Sequence, residues 1–403
     1  MLLKTILQIN TVCGVGSTGR IATDIADTIN SDKYKMYIAY GYGNSDRENT
    51  IKIGTKLDYI IHNILSRITG RQGRYSYFAT KNFLKKVDKI KPDIIHLHNI
   101  HGNYINYKLL FEYIKKHNIP VIWTLHDAWA FTGKCVYFDY AQCDKWQDGC
   151  YKCKCLNDYP KSIRDNSKKE YENKKKAFTS LNKLTIITPS YWLENLVRKS
   201  FLKKYKVITI NNGINLEKFK PEKVQKLKHE KKLDNQFIIL GVANDWEKRK
   251  GLDFFIELAR KLPTKYKIIM IGLTKKQIQQ LPDNIIKIEK TNSIEELVQY
   301  YNMADVLLNP TLEDNFPTTI IEALACGTPV ITFDTGGSPE IVDEKTEVVV
   351  EKGNIEELIK AIGEVCSNNL KEEDCIQRAK KFDKKNMLDE YMKKYEKILE
   401  ENK

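Results

Sequence analysis

Asp314 and Glu322 are two carboxylates eight positions apart in the stretch EDNFPTTIIEALACGTPVITFDTGG, Glu313 to Gly337. Carboxylates accept hydrogen bonds, and a pair so spaced could serve a ligand rich in hydroxyls: Asp314 a sugar, Glu322 a ribose. Pro317 suits a helix's first turn, where its missing N–H costs nothing, and Gly327 with Pro329 suits the stop. The spacing predicts a helix over 317–326 with Ile320, Ile321, Leu324 and Ala325 against a sheet. Its unpaired amides near Thr318 and Thr319 would seat a phosphate. Helical side chains lean towards the N-terminus, so Glu322 would point back at that seat. Asp314, Phe316, Thr318, Thr319 and Glu322 are thus candidates to bind a phosphorylated sugar donor. A blander reading makes Asp314 a cap and Glu322 a first-turn acid favoured by the helix dipole.

Gly14-Val15-Gly16-Ser17-Thr18-Gly19 fits G-x-G-x-x-G between an expected strand and the helical GRIATDIADTI. Such a loop could hold a dinucleotide, cradle another phosphate through Gly16 and Ser17, or be a structural turn. The dinucleotide reading needs an acid ending the next strand, and KMYIAYG runs instead into Tyr42-Gly43-Asn44.

His126 and Asp127 end the expected strand VIWTLH, where the carboxyl ends of parallel strands line a ligand crevice. His96, His98 and His101 are spaced like metal ligands, but His96 and His98 share a strand face with no carboxylate or cysteine nearby in sequence, so a structural role is expected. Cys135, Cys143, Cys150 and Cys153 crowd one segment with Cys155, and Cys150-x-x-Cys153 has zinc-knuckle spacing. A structural zinc on those four, or reduced thiols, are the two readings. Cys13, Cys326, Cys366 and Cys375 read as small packing residues.

The elements that must position these residues alternate. TILQIN, KMYIAYG, DIIHLH, VIWTLH, LTIITPS and VITINNG read as strands of a first half, and QFIILGVA, YKIIMIG, NIIKIE, DVLLNP and PVITFD as strands of a second. Their apolar runs are continuous, as in parallel strands buried on both faces, and helical periods fall between them. An α/β chain of two doubly wound domains follows. The expected division is 1–212 (with a cysteine-rich insertion at 133–155), 213–384, and a C-terminal helix over 385–403 returning to the first domain. With 403 residues and 42% hydrophobic content the chain can bury real cores. The N-terminus MLLKTILQIN is too short an apolar run for a signal peptide, and nothing approaches the roughly 18 apolar residues of a membrane span. A soluble cytoplasmic protein with reduced or metal-bound cysteines is expected.

The net charge of +14 gathers at Arg67, Arg71, Arg74, Lys81, Lys85 and Lys86 and again from Lys161 to Lys206. Nucleic acid, anionic lipid and phosphorylated substrates would all suit such a surface, as would plain solvation.

Taken together the motifs resemble family 4 glycosyltransferases. EDNFPTTIIEALACGTPVI is similar to the family's E-x7-E region, and GSTGR, PDIIHLH, TLHDAW, TPS, NNGINLEKF, EKRKGLDFFIEL and GGSPEIV follow in the family's order along nearly the whole chain. The segment TLHDAWAFTGKC leading into a cysteine cluster resembles the colanic-acid-type polysaccharide subgroup. The resemblance implies a GT-B fold of two facing Rossmann-like domains, the acceptor mainly on the N-terminal one and the nucleotide mainly on the C-terminal one. It implies a retaining, metal-independent transferase, with a UDP- or GDP-sugar as donor and a growing lipid-linked polysaccharide as acceptor. It would work at the inner face of the plasma membrane. It assigns His126 to a sugar hydroxyl, Asp127 to the acceptor, Lys250 to phosphate and Asp314 to the sugar. The chain departs from the family where an upstream arginine gives way to Asn244-Asp245, leaving Arg249 or Lys248 to substitute, and where Asp314 replaces a glutamate, which could shift the contact to Glu313. No Asp-x-Asp pair of the metal-dependent kind occurs. A nicotinamide oxidoreductase using the glycine loop is the main rival. A zinc-dependent nucleic-acid binder is weaker, because aromatic–basic platforms are missing and no nucleic-acid partner is expected.

Overall fold

The computed structural model describes residues 3–29, 31–367 and 370–402. The chain divides into two compact units, Met1–Ile210 with Leu388–Lys403, and Asn211–Met387. Each is built on one parallel sheet.

The first unit holds β1 (Lys4–Val12), β2 (Tyr34–Tyr42), β3 (Thr50–Lys52), β4 (Ile94–Leu97), β5 (Val121–Thr124), β6 (Leu184–Thr188) and β7 (Lys206–Thr209) in the order β3-β2-β1-β4-β5-β6-β7. The second holds β8 (Phe237–Val242), β9 (Tyr266–Ile271), β10 (Ile285–Ile288), β11 (Val306–Asn309), β12 (Val330–Phe333) and β13 (Glu347–Val350) in the order β10-β9-β8-β11-β12-β13. The eleven strands expected from the sequence are present, and the edge strands β3 and β13 are additional. Every residue of β4, β5, β11 and β12 is buried, which is why these central strands read as unbroken apolar runs.

Strand order reverses between β1 and β4 in the first sheet and between β8 and β11 in the second. Helices on the two sides of such a point diverge, leaving a crevice at the strands' carboxyl ends. Both sets of candidate residues lie there: the glycine loop after β1 and His98 after β4, the Lys248–Lys250 turn after β8 and Asp314 after β11.

Seven helices matter below: α1 (Gly16–Ile29), α2 (Lys56–Thr69), α3 (Tyr77–Ile90), α4 (Ser167–Phe178), α5 (Ile294–Met303), α6 (Thr318–Ala325) and α7 (Lys384–Glu401). In α6, Ile320, Ile321, Ala323, Leu324 and Ala325 are buried, so the expected face is the face that packs.

Candidate active site

In the second unit the site begins with a close approach. Gly251 has φ +81°, and a Cβ there would lie 2.1 Å from the carbonyl oxygen of Pro310. Glycine thereby lets the turn Lys248–Lys250 close on the segment after β11. The Leu312 N–H (2.7 Å) and the Thr311 hydroxyl (3.3 Å) both donate to the Arg249 carbonyl and fasten it. Two cations then meet one carboxylate. Lys250 Nζ donates to Asp314 Oδ2, while Arg249 Nη1 stands 3.8 Å from the same oxygen and donates to the Glu313 carbonyl. From behind, the Gly337 N–H donates to the Asp314 carbonyl at 3.0 Å. Burial alone would raise the Asp314 pKa, but Lys250, Arg249 and the Phe316 amide hold it below the usual carboxylate range. Asp314 is therefore ionised, and Arg249 occupies the place beside it that the sequence left between Arg249 and Lys248. Glu313, offered as a stand-in for the sugar contact, is fully buried.

Asp314 precedes α6, whose N-cap is Pro317 and whose first residues Thr318 and Thr319 are half-buried. One expectation needs correction: Glu322 is not a first-turn acid but sits in the second turn, where it accepts a 2.8 Å hydrogen bond from the Tyr301 hydroxyl of α5. The Phe316 ring packs in the apolar core, 5.6 Å from the ring of Phe382.

In the first unit, Gly16 and Ser17 are exposed at the start of α1, with Gly16 at φ +65°. His126 and Asp127 follow β5. Asp127 accepts from His101 Nε2 at 2.8 Å and from the Trp129 N–H at 2.9 Å. Burial would raise its pKa, but His101 and that amide bring it down, making Asp127 an electrostatic anchor and a weak base. The carboxylate that sequence reasoning found missing beside the histidines is thus Asp127, brought to His101 by the loop after β5.

His98 and His126 stack, rings 5.4 Å apart, with His98 Nδ1 to His126 Nε2 at 3.1 Å and His98 Nε2 to Gln8 Oε1 at 2.9 Å. Burial lowers His98 well below its ordinary value and His126 to about 4, so both rings are neutral near pH 7. On the far side His96 bonds the Thr124 hydroxyl at 2.8 Å and the Tyr395 hydroxyl of α7, and Tyr391 adds a 3.0 Å bond to Thr124. His96 is thus held by α7 and its ring lies 4.1 Å from that of His98, while His98 and His126 share their own hydrogen bond. Below the loop, the buried Lys174 of α4 donates to the carbonyls of Trp129 (2.8 Å) and Thr132 (3.1 Å), its Nζ 3.5 Å from the centre of the Trp129 ring.

In the cysteine segment three thiols draw together. Cys135 Sγ lies 3.6 Å from Cys153 Sγ, and Cys155 joins these two through thiol hydrogen bonds, while Cys150 Sγ accepts from the Gly133 N–H at 3.1 Å. Among the described residues no group of three or more His, Cys, Asp or Glu is disposed to hold a metal ion.

Known proteins share features of this sequence and this fold. Residues 19–218 match the family described as Glycosyltransferase Family 4, and residues 223–382 match Glycosyl transferases group 1. The chain belongs to this glycosyltransferase family and has its GT-B fold. It is similar to WcaC of Escherichia coli (strain K12), named for colanic acid biosynthesis glycosyl transfer, at 24% identity over 88% of this chain and 89% of that one. An alpha-galactosylglucosyldiacylglycerol synthase of Streptococcus pneumoniae is 30% identical over 55% of this chain and 62% of its own length. Anabaena HepE, solved in complex with UDP-glucose, superposes with a TM-score of 0.67 at 13% identity, covering 98% of this chain and 99% of that one. The oxidoreductase reading of the glycine loop finds no support in these relatives and is set aside.

Proposed function

We propose that this transferase moves a sugar from a UDP- or GDP-sugar, with retention at the anomeric carbon and without a divalent metal, onto a growing lipid-linked cell-surface polysaccharide at the anionic inner face of the membrane. The observation that carries the reading is the meeting of Lys250 and Arg249 on Asp314, immediately before α6. As the bond from the anomeric carbon to the diphosphate breaks, its electron pair goes to the leaving phosphate oxygen. Lys250, Arg249 and the α6 amides neutralise that charge, the task a metal performs elsewhere. Asp314 holds the cations ready and accepts from the donor sugar's hydroxyls, while Glu322 accepts from the ribose. In the first unit, Gly16 and Ser17 offer backbone donors to a phosphate, and His126 meets a sugar hydroxyl. The new bond forms between the acceptor oxygen and the anomeric carbon on the face the diphosphate leaves, and the diphosphate takes up the acceptor's proton. A nucleotide sugar agrees with the UDP-glucose bound by HepE, and a lipid-linked glycan agrees with relatives named for polysaccharide and diacylglycerol glycolipid synthesis.

The test is calorimetric titration with UDP, GDP, ADP and NAD, followed by NMR of the product's anomeric proton in reactions containing excess EDTA. Binding of a nucleoside diphosphate, turnover in EDTA and a retained anomer are expected. NAD binding alone would overturn the transferase reading, and an inverted anomer or abolition by EDTA would overturn those parts of it.

A further inference from the structure

Helix α2 is folded the wrong way round for a soluble protein. Its buried residues are His62 and Ser66, while Leu57, Ile60, Ile61, Ile64 and Ile68 are each 41–64% exposed. At 100° per residue these five fall within one stripe of about 100°, so the apolar face as a whole looks outward. The orientation is fixed by polar bonds. His62 Nδ1 meets the Ser76 hydroxyl at 2.7 Å, and burial keeps that ring neutral. The helix is also capped at both ends, by the Thr55–Asp58 capping box and by Gly70 in the left-handed conformation. Ser76 in turn leads into Tyr77 and Phe78 at the start of α3, 45% and 77% exposed. At the other end the Ile163 N–H donates to the Arg67 carbonyl at 2.7 Å, placing a further 77%-exposed isoleucine beside α2.

Basic side chains border this surface. Lys56, Arg67, Arg71, Lys81, Lys161 and Arg164 are all exposed, and the acid on α2, Asp58, is engaged in the capping box. Lys81 Nζ lies 4.5 Å over the Tyr77 ring, a cation held at the edge of the apolar face. Five large apolar side chains exposed along one face of a helix mark an interaction site. An apolar stripe with a cationic border matches a bilayer surface, where the stripe enters the acyl boundary and the border meets anionic headgroups. Among the described residues no helix is long and apolar enough to cross a membrane, so contact through this face would be peripheral.

We infer that the outward face of α2, with the start of α3 and the 161–164 loop, is the surface by which this protein docks on an anionic lipid bilayer. The inference deepens the proposed function, since it rests on an acceptor presented at a membrane. It concerns the first unit alone.

The probe is co-sedimentation with vesicles of equal parts phosphatidylglycerol and phosphatidylcholine, and with vesicles of phosphatidylcholine only. Wild type should partition onto the anionic vesicles and release as salt rises. Ile60→Ser/Ile64→Ser/Ile68→Ser should lower that partitioning at least tenfold at every salt concentration. Arg67→Gln/Arg71→Gln should lower it roughly 25-fold at low salt, about fivefold per basic residue near an anionic surface, and little at high salt. The substituted side chains are exposed, so both variants should keep the wild-type melting temperature and nucleotide affinity. Unchanged partitioning of the isoleucine variant, or indifference of wild type to headgroup charge, would overturn the proposal. So would failure of wild type to bind vesicles together with a dimer that the isoleucine variant converts to monomer, which would make the face a contact between copies. Lost nucleotide binding with vesicle binding intact would instead remove the transferase reading and leave the docking surface standing.

Discussion

His98 Nδ1 stands 3.1 Å from His126 Nε2, and this one contact decides which nitrogen of His126 carries its proton. Gln8 Nε2 donates to the Ala22 carbonyl at 2.8 Å, so its Oε1 is the end that meets His98 Nε2. His98, neutral by burial, therefore carries its single proton on Nε2 and accepts at Nδ1. His126 must then donate from Nε2, which leaves its Nδ1 unprotonated and suited to accept from a sugar hydroxyl.

Nitrogen-15 NMR of the histidine rings should accordingly show His126 as the Nε2–H tautomer, still neutral at pH 6. Gln8→Leu, which strips His98 of its acceptor, should give mixed tautomers at His126 and a several-fold higher KM for the sugar donor. It should also cost about 1–3 kcal/mol of stability for the orphaned donor. A His126 protonated on Nδ1 in the wild type would contradict the relay.

Three substitutions in the second unit should separate by mechanism. Glu322→Ala removes a carboxylate that can accept from the ribose and should weaken nucleotide affinity by about tenfold or more, since a charge-assisted bond is worth roughly 1.5–3 kcal/mol. Lys250→Ala should lower kcat more than it raises KM, because its charge matters most as the diphosphate departs. Asp314→Asn should leave free nucleoside diphosphate binding near wild type and impair use of the intact sugar donor. Titration and steady-state kinetics of the three read this out, and wild-type behaviour of Glu322→Ala would be the most damaging result.

How far the sequence reached can be judged from these same residues. α6 was legible because Pro317, four buried apolar positions and Gly327 agree on one element, and the central strands because their burial makes them continuously apolar. β3 was not, since Thr-Ile-Lys is three residues at a sheet edge with no period to read. Pairings across the chain also stayed hidden. Lys250 meets Asp314 across 64 positions and His101 meets Asp127 across 26, and only the order of strands brings them together. α2 shows a different limit. Periodicity reports that a helix has an apolar face, but which way that face turns is settled by what the opposite side bonds, here His62 to Ser76.

Lys174 should prove a positioning residue for the loop that carries Asp127. Its ammonium ties the carbonyls of Trp129 and Thr132, and burial lowers its pKa to about 7 despite the pull of Glu170. Lys174→Met keeps the packing volume but orphans both carbonyls, at about 1–3 kcal/mol. The melting temperature should fall by several degrees, and the near-ultraviolet circular dichroism of Trp129 should weaken. An unchanged spectrum would show that the loop holds itself.

Acid should unfold this protein before its carboxylates are titrated. His62 and His96 are lowered to about 3 and His126 to about 4, in each case chiefly by burial, and His98 lies well below its ordinary value. Unfolded, each would titrate near 6.5. A folded-state pKa below the unfolded one means that stability is complete above pH 6.5 and is lost as pH falls towards the folded value, because the unfolded chain takes up protons the folded chain refuses. Each such histidine contributes a slope of about 1.4 kcal/mol per pH unit once the unfolded state is fully protonated. The depressed carboxylates Asp127 and Asp314 act in the same direction, but their loss begins only as pH falls into the ordinary carboxyl range, from about pH 5 downward. Urea unfolding at intervals from pH 7.5 to 4.5 should therefore show a steady fall that sets in between pH 7 and 6. His62→Leu should make that fall shallower by about one proton's slope, whatever it does to stability at pH 7.5. A stability flat down to pH 4.5 would mean that these rings admit protons in the folded state, and the neutral His98–His126 relay would fall with it.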